Sequence, residues 1–195
     1  KQTLTKIFTS DAYKDALFSA EYDKGTGNAE AEAVLQEYFY ENYISFRNVC
    51  VYFTAADGSA LTLADRNKLL SEINTLADNA GSDAEAFAQS VQEAGYSLSG
   101  SVILKKGADT YPSDFYEKVS NQDDDTAQVI TYDECVFIVW KENLKDKGDS
   151  VYISYRSTCI DDLYSNEYQE ALDKHLDTLS VKEKGSVKNI IRKLT

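Results

Sequence analysis

The residue most able to do chemistry is Cys50, which lies in the stretch FRNVCVYF at residues 46–53. A cysteine acts as a nucleophile through its thiolate, which forms readily only beside a base, a cation or a helix N-terminus. The sequence neighbours of Cys50 are Val49 and Val51, and no histidine lies near it in the sequence. A thiol in apolar surroundings has a raised pKa and is inert. Cys50 is therefore a poor candidate for a catalytic residue, and the catalytic residues stay unknown at this stage.

Metal chemistry is not predicted. The three cysteines, Cys50, Cys135 and Cys159, form no C-x-x-C pair, and the chain has one histidine. The acidic stretch NQDDDTAQ at residues 121–128 lacks the alternating spacing and closing glutamate of a calcium loop. The sequence therefore predicts no metal site and no cofactor.

Composition limits the partners. A net charge of −13 argues against nucleic acid, which requires a concentrated positive surface. Residues 180–195 hold five basic residues and one acidic residue, a pattern typical of a solvated helix end or of contact with an anionic surface. No run of 18 apolar residues and no signal peptide occurs, and the start at Lys1 indicates a mature or trimmed chain. The 14 tyrosines supply amphipathic rings suited to a core edge or a peptide groove.

Hydrophobic periodicity predicts an ordered series of helices and strands. The helices are expected at residues 11–22, 29–43, 62–81, 83–95, 113–120 and 157–179. The strands are expected at 44–53 and 101–106, with two more inside 128–143 joined by a tight turn near 132–134. Ser82 and Glu85 form a predicted capping box, and residues 144–150 form a predicted linker.

Four stretches in this order resemble the parvulin-type peptidyl-prolyl isomerases, and more closely the secretion foldases of PrsA and SurA type. They are EYFYENYISFRNVCVYF (37–53), AEAFAQSVQEAG (84–95), GSVILKKGADTYPSDFYEKVS (100–120) and TAQVITYDECVFIVWKENL (126–144). The resemblance implies an α+β fold with a parvulin-like four-stranded antiparallel sheet and flanking helices at residues 46–143. It also implies helical, chaperone-like segments at residues 1–45 and 144–195, with the second packing against the first.

The departures from the family pattern concern its two active-site histidines. Cys50 occupies the place of the first-strand histidine, and Val136 occupies that of the last-strand histidine. The resemblance implies a peptide groove with these two residues as its floor; its predicted members are Cys50, Tyr52, Tyr111, Phe115, Tyr116 and Val136. In this alignment Val136, not Cys135, faces the same side of the sheet as Cys50, which argues against a Cys50–Cys135 disulfide. A shift of one residue would reverse that expectation.

Three functions follow from the resemblance. The first is an extracytoplasmic foldase or chaperone-like protein that binds unfolded, nascent or secreted polypeptides through a degenerate parvulin domain. The second is a weakly active peptidyl-prolyl cis-trans isomerase, and the third is a structural or assembly protein that uses the fold for partner docking. The missing histidines favour the first over the second, so enzyme activity is uncertain. Membrane contact is expected only through an anchor absent from this chain, and the oligomeric state stays open.

Overall fold

A four-stranded antiparallel sheet flanked by helices forms the centre of the protein, so the predicted α+β class is confirmed. The computed structural model describes residues 14–25, 28–81 and 83–178. Residues 14–22 are helical (α1), and the next elements are α2 (Ala29–Asn42), β1 (Tyr43–Tyr52), α3 (Leu63–Asp78), α4 (Ala84–Glu93) and β2 (Val102–Lys105). The chain continues through α5 (Phe115–Ser120), β3 (Thr126–Thr131), β4 (Cys135–Glu142), a 3-10 helix (Leu144–Lys147) and α6 (Asp149–Thr178). The strand order in the sheet is β2-β1-β4-β3.

The final helix begins earlier than the sequence predicts. The predicted linker at residues 144–150 contains the 3-10 helix, and α6 starts at Asp149 instead of residue 157. Asn143 caps the 3-10 helix by accepting a hydrogen bond from the Lys145 backbone N–H at 3.0 Å. Gly148, at φ +78°, then allows the turn into α6. The polar residues of this stretch favour turns as well as helix caps, so the sequence alone predicts a linker here.

The cap of α4 differs from the predicted one. Asp83 is the N-cap, and its side chain accepts from the backbone N–H groups of Glu85 and Ala86. Ser82, the predicted cap, lies outside the described residues, as does the basic tail at 180–195.

Two compact units make up the chain. Residues 36–154 belong to what we call the sheet unit, and the described residues within 1–35 and 155–195 belong to what we call the helical unit. In the helical unit, the Tyr22 ring stacks on Tyr164 with centroids 5.3 Å apart. Arg156 binds Asp23 at 2.8 Å and Glu32 at 2.6 Å.

The sheet has two covered faces, because strand side chains alternate between them. The rear face packs against α3 and α4. The buried residues of the core between them are Val49, Phe53, Ile73, Ala80, Phe87, Val91, Val136, Ile138 and Trp140. The front face packs against α5 and the loop before it. The buried residues of the core between them are Ile44, Phe46, Leu104, Phe115, Tyr116, Val119, Ile130, Cys135, Phe137 and Val139. Trp140 stacks on Phe87 in the rear core, with ring centroids 5.2 Å apart.

A buried carboxylate, Glu142, ties one end of the sheet together. It accepts hydrogen bonds from Ser45 Oγ at 2.7 Å, Arg47 Nε at 2.9 Å and Ser101 Oγ at 3.0 Å. Lys147 Nζ lies 2.7 Å from the same carboxylate. Burial alone would raise the pKa of Glu142, but the hydrogen bonds from Lys147, Ser45 and Ser101 outweigh it, so the pKa is lowered.

Candidate functional site

Cys50 lies on the front face of the sheet, and the residue directly opposite it on β4 is Phe137. The sequence predicts that Val136 faces the same side of the sheet as Cys50, and this prediction is wrong by one residue. Val136 pairs with Val51 and is fully buried in the rear core. A shift of one residue in a strand moves a side chain to the other face of the sheet. By register, the residue that lies opposite Cys50 on the same face of the sheet is therefore Phe137.

Cys135 shares the front face with Cys50, because it stands opposite Tyr52 on the neighbouring strand. Both cysteines are free thiols in the structure. Burial, with the neighbouring Cys135 thiol as the second cause, raises the pKa of Cys50 to about 11. Cys50 is therefore protonated at neutral pH.

Tyr111 covers the front core at the end of the loop that follows β2. Its ring stacks on Phe115 with centroids 4.4 Å apart and meets Phe46 edge-on at 5.4 Å. Its hydroxyl lies 3.5 Å from Asn48 Oδ1. Burial raises the pKa of Tyr111. Tyr111 is half-buried whereas Phe115 has no exposed surface, so Tyr111 separates Phe115 from solvent.

The remaining predicted groove residues lie in different places. Tyr52 is 63% exposed and shares the front side of β1 with Cys50. Tyr116 is buried, and its hydroxyl lies 3.4 Å from the Glu41 carbonyl oxygen. The structure thus brings Cys50, Tyr52 and Tyr111 to one accessible surface and leaves Tyr116 in the core.

Sequence reasoning missed Tyr132, which borders the same surface. Its hydroxyl donates to Asp114 Oδ1 at 2.7 Å, and Lys118 Nζ lies 4.5 Å from its ring centroid. Burial and the bond to Asp114 raise the pKa of Tyr132. Its ring meets Phe137 edge-on at 6.0 Å. The predicted turn at 132–134 placed Tyr132 beside β4, but no local pattern links it to Asp114 at the start of α5.

These side chains define what we call the front surface: Asn48, Cys50, Tyr52, Tyr111 and Tyr132. It presents three phenols and a protonated thiol beside the buried amide of Asn48, and the ion pair of Asp114 with Lys118, at 2.8 Å, stands at its rim. Tyrosine rings offer an apolar body with a polar tip, which suits contact with apolar side chains and peptide groups. Burial raises the pKa of Cys50, of Tyr111 and of Tyr132, so none of these three groups exchanges a proton readily near neutral pH. This arrangement favours binding over acid–base chemistry.

Among the described residues, no helix combines the length and the apolar character that a membrane crossing requires.

No protein-family model matches this chain, and no curated protein does. Among solved structures, it is similar to the crystal structure of foldase protein PrsA from Streptococcus pneumoniae, with 17% sequence identity and a TM-score of 0.41. The match covers 92% of this chain and 65% of that chain, so this chain spans less than two thirds of that protein. The predicted resemblance is confirmed to the extent that a PrsA foldase is among the similar structures.

Proposed function

We propose that this protein is a foldase-like, polypeptide-binding protein whose front surface contacts unfolded chains. The observation that carries the proposal is the uncharged, aromatic character of that surface around Cys50, opposite Phe137. In this proposal residues 46–143 form the binding domain, and residues 1–45 and 144–195 form flanking chaperone-like segments. The protein acts outside the cytoplasm on secreted or nascent polypeptides.

The chemistry of the front surface supports such clients. Exposed Tyr52 and half-buried Tyr111 and Tyr132 provide rings for apolar side chains and hydroxyls for peptide groups. The net charge of −13 attracts basic segments and repels acidic ones. Neutral or basic unfolded segments are therefore the expected clients.

Prolyl isomerisation is the second candidate function. The uncatalysed barrier is about 18–20 kcal/mol, and a catalyst must favour the twisted amide over the planar one. One observation supports it: the Tyr111 hydroxyl and the Asn48 amide stand beside an apolar floor. Against it, the two expected histidine positions, Cys50 and Val136, carry a thiol and an isopropyl group, and the residue opposite Cys50 is Phe137 rather than a histidine.

Docking of a folded partner is the third candidate. It is supported by the filled front core, where Tyr111 covers a Phe115 that has no exposed surface. A filled core beneath this surface suits a flat partner as well as an extended chain.

Binding of short, dye-labelled, aromatic-rich peptides, measured by fluorescence anisotropy, tests the proposal. Tyr52→Ser is expected to weaken binding by about tenfold, the scale of an aromatic anchor at an interface. Leu63→Ser is the matched control, because Leu63 is 74% exposed and lies outside the front surface. Equal affinities for wild type and Tyr52→Ser would contradict the proposal.

A prolyl cis-trans assay on Xaa-Pro peptides separates the second candidate. The wild-type protein is expected to leave the uncatalysed rate unchanged. An acceleration that Tyr111→Phe abolishes would establish the isomerase instead, because that substitution removes only the hydroxyl beside Asn48.

A further inference from the structure

Strand β1 extends beyond its partner β2. β1 runs from Tyr43 to Tyr52, whereas β2 pairs only with its first four residues, up to Phe46. Beyond β2, the loop that precedes it contacts the same edge of β1 at Asn48. There the Ser99 N–H donates to the Asn48 carbonyl oxygen at 2.9 Å, and the Asn48 N–H donates to Ser99 Oγ at 2.9 Å.

The orientation of the remaining β1 backbone follows from the ladder. In an antiparallel sheet, successive residues direct their N–H and C=O groups to opposite neighbours. Phe53 donates to the Glu134 carbonyl oxygen, so the odd-numbered residues of β1 bond toward β4, while Asn48 bonds toward β2. Cys50 and Tyr52 therefore direct their backbone N–H and C=O groups toward the β2 side of the sheet, at a point beyond the end of β2. Among the described residues, none pairs with those four groups.

We propose that this free edge of β1, at Cys50 to Tyr52, binds an extended segment of the client polypeptide as an added strand in line with β2. This inference rests on the proposed function and specifies its binding mode. Unpaired donors and acceptors that alternate along a strand are the pattern that an incoming extended chain satisfies. The Tyr52 ring, on the same strand and 63% exposed, then contacts an alternate side chain of the segment.

The charge of the chain favours the same kind of segment. Its net charge of −13 disfavours an acidic strand and favours a neutral or basic one.

The other edge of the sheet provides an internal comparison. Tyr132 donates to the Cys135 carbonyl oxygen, so the even-numbered residues of β3 bond toward β4, and Thr131 directs its N–H outward. The proposed segment lies at the β1 edge, beside the exposed Tyr52, so the β3 edge at Thr131 serves as the control position.

The first test compares two labelled peptides that are identical except for N-methylation. One is an unmodified, aromatic-rich, basic peptide, and the other carries N-methyl groups on alternate residues, which block strand pairing along one edge. Wild-type protein is expected to bind the N-methylated peptide at least about tenfold more weakly, as the loss of two backbone hydrogen bonds predicts. Equal binding of the two peptides would overturn strand addition and leave polypeptide binding intact.

The second test removes one N–H from the protein. Tyr52→Pro and Tyr52→Ala both lose the ring, but only the first loses the outward N–H, and proline is tolerated where that group faces solvent. Tyr52→Pro is expected to bind the unmodified peptide about 3- to 10-fold more weakly than Tyr52→Ala. Thr131→Pro and Thr131→Ala are the matched control on β3, and they are expected to bind equally.

The outcomes separate the two proposals. Equal affinities for Tyr52→Pro and Tyr52→Ala would overturn the proposal that the segment binds at the edge from Cys50 to Tyr52. A loss of affinity confined to Thr131→Pro would overturn it as well. Failure of wild-type protein to bind the unmodified peptide would overturn both this inference and the proposed function. If circular dichroism shows that Tyr52→Pro does not fold, the comparison of the two peptides on wild type decides.

Discussion

The two faces of the sheet are built from the same strands but have different coverage. On the rear face, Val136, Ile138 and Trp140 are at most 1% exposed beneath α3 and α4. On the front face, Cys50, Tyr111 and Tyr132 are only partly buried. The difference follows from the covering helices: α3 and α4 have 16 and 10 residues, whereas α5 has 6. At 1.5 Å per residue, α5 is about 9 Å long and covers only part of a face.

The comparison shows how one strand serves two purposes. Alternation gives β1 a core side, with Val49 and Val51, and a side on which Cys50 and Tyr52 reach solvent. Substitutions in the buried rear core are therefore expected to affect stability, and substitutions at the solvent-accessible front positions are expected to affect binding.

The largest expected effect is on the rear face. Phe87→Ala removes the ring that stacks on Trp140 and is expected to lower the free energy of unfolding by about 3–5 kcal/mol. Tyr52→Ala, at an exposed front position, is expected to change it by about 0.5 kcal/mol or less. Urea unfolding followed by far-UV circular dichroism measures both. Similar values for the two variants would contradict the contrast between the faces.

Glu142→Gln has the next largest expected effect on the free energy of unfolding. It leaves Arg47 and Lys147 without their shared carboxylate and is expected to cost about 2 kcal/mol at pH 7. That figure is below the range for fully buried pairs because both basic side chains are about a quarter exposed, at 27% and 25%.

The effect of Glu142 also has a pH dependence of known sign. Its pKa is lowered in the folded protein, so its contribution is complete above the unfolded value near 4.3 and is lost as pH falls through the folded pKa. Urea titrations at pH 7 and pH 3 are expected to show a smaller difference between wild type and Glu142→Gln at pH 3. The exposed Glu93→Gln is the control, and a difference independent of pH would refute the linkage.

Cys50 provides a chemical test of the front face. With a pKa of about 11, about one thiol in a thousand is ionised at pH 8. Alkylation of Cys50 by iodoacetamide, followed by peptide mass spectrometry, is expected to speed up about tenfold per pH unit between pH 8 and 10. A rate that levels off near pH 8 would show an activated thiol and would reopen a nucleophilic role.

Tyr111→Phe has the smallest expected effect on stability. A hydroxyl 3.5 Å from Asn48 Oδ1 is at the outer limit of a hydrogen bond, so its loss is expected to cost about 0.5 kcal/mol or less. The ring that stacks on Phe115 stays in place. Thermal unfolding measures this, and a loss as large as that of Glu142→Gln would show that the hydroxyl anchors the loop.

The order of elements could be predicted from the sequence, whereas the register of β4 could not. The helical period of α3 and the β-branched, aromatic composition of β1 are strong local signals. Residues 135–140 are apolar on both faces, so they contain no alternation that distinguishes Val136 from Phe137. Only pairing with β1 decides which of them faces Cys50.

The site was predictable in part for the same reason. Cys50, Tyr52 and Tyr111 were found from one strand and one loop, each of which has a local pattern. Tyr132 joins them through Asp114, a contact between α5 and the turn after β3 that depends on tertiary packing.

The stacked pair in the rear core has a further use, because Trp140 is the only tryptophan of the chain. It is 1% exposed and belongs to the sheet unit, so selectively excited indole fluorescence reports the melting of residues 36–154 alone. Far-UV circular dichroism also registers α6, most of which belongs to the helical unit. Coincident transitions in the two signals would mark a single cooperative block, and separated ones would give each unit its own melting temperature, without any label on the protein.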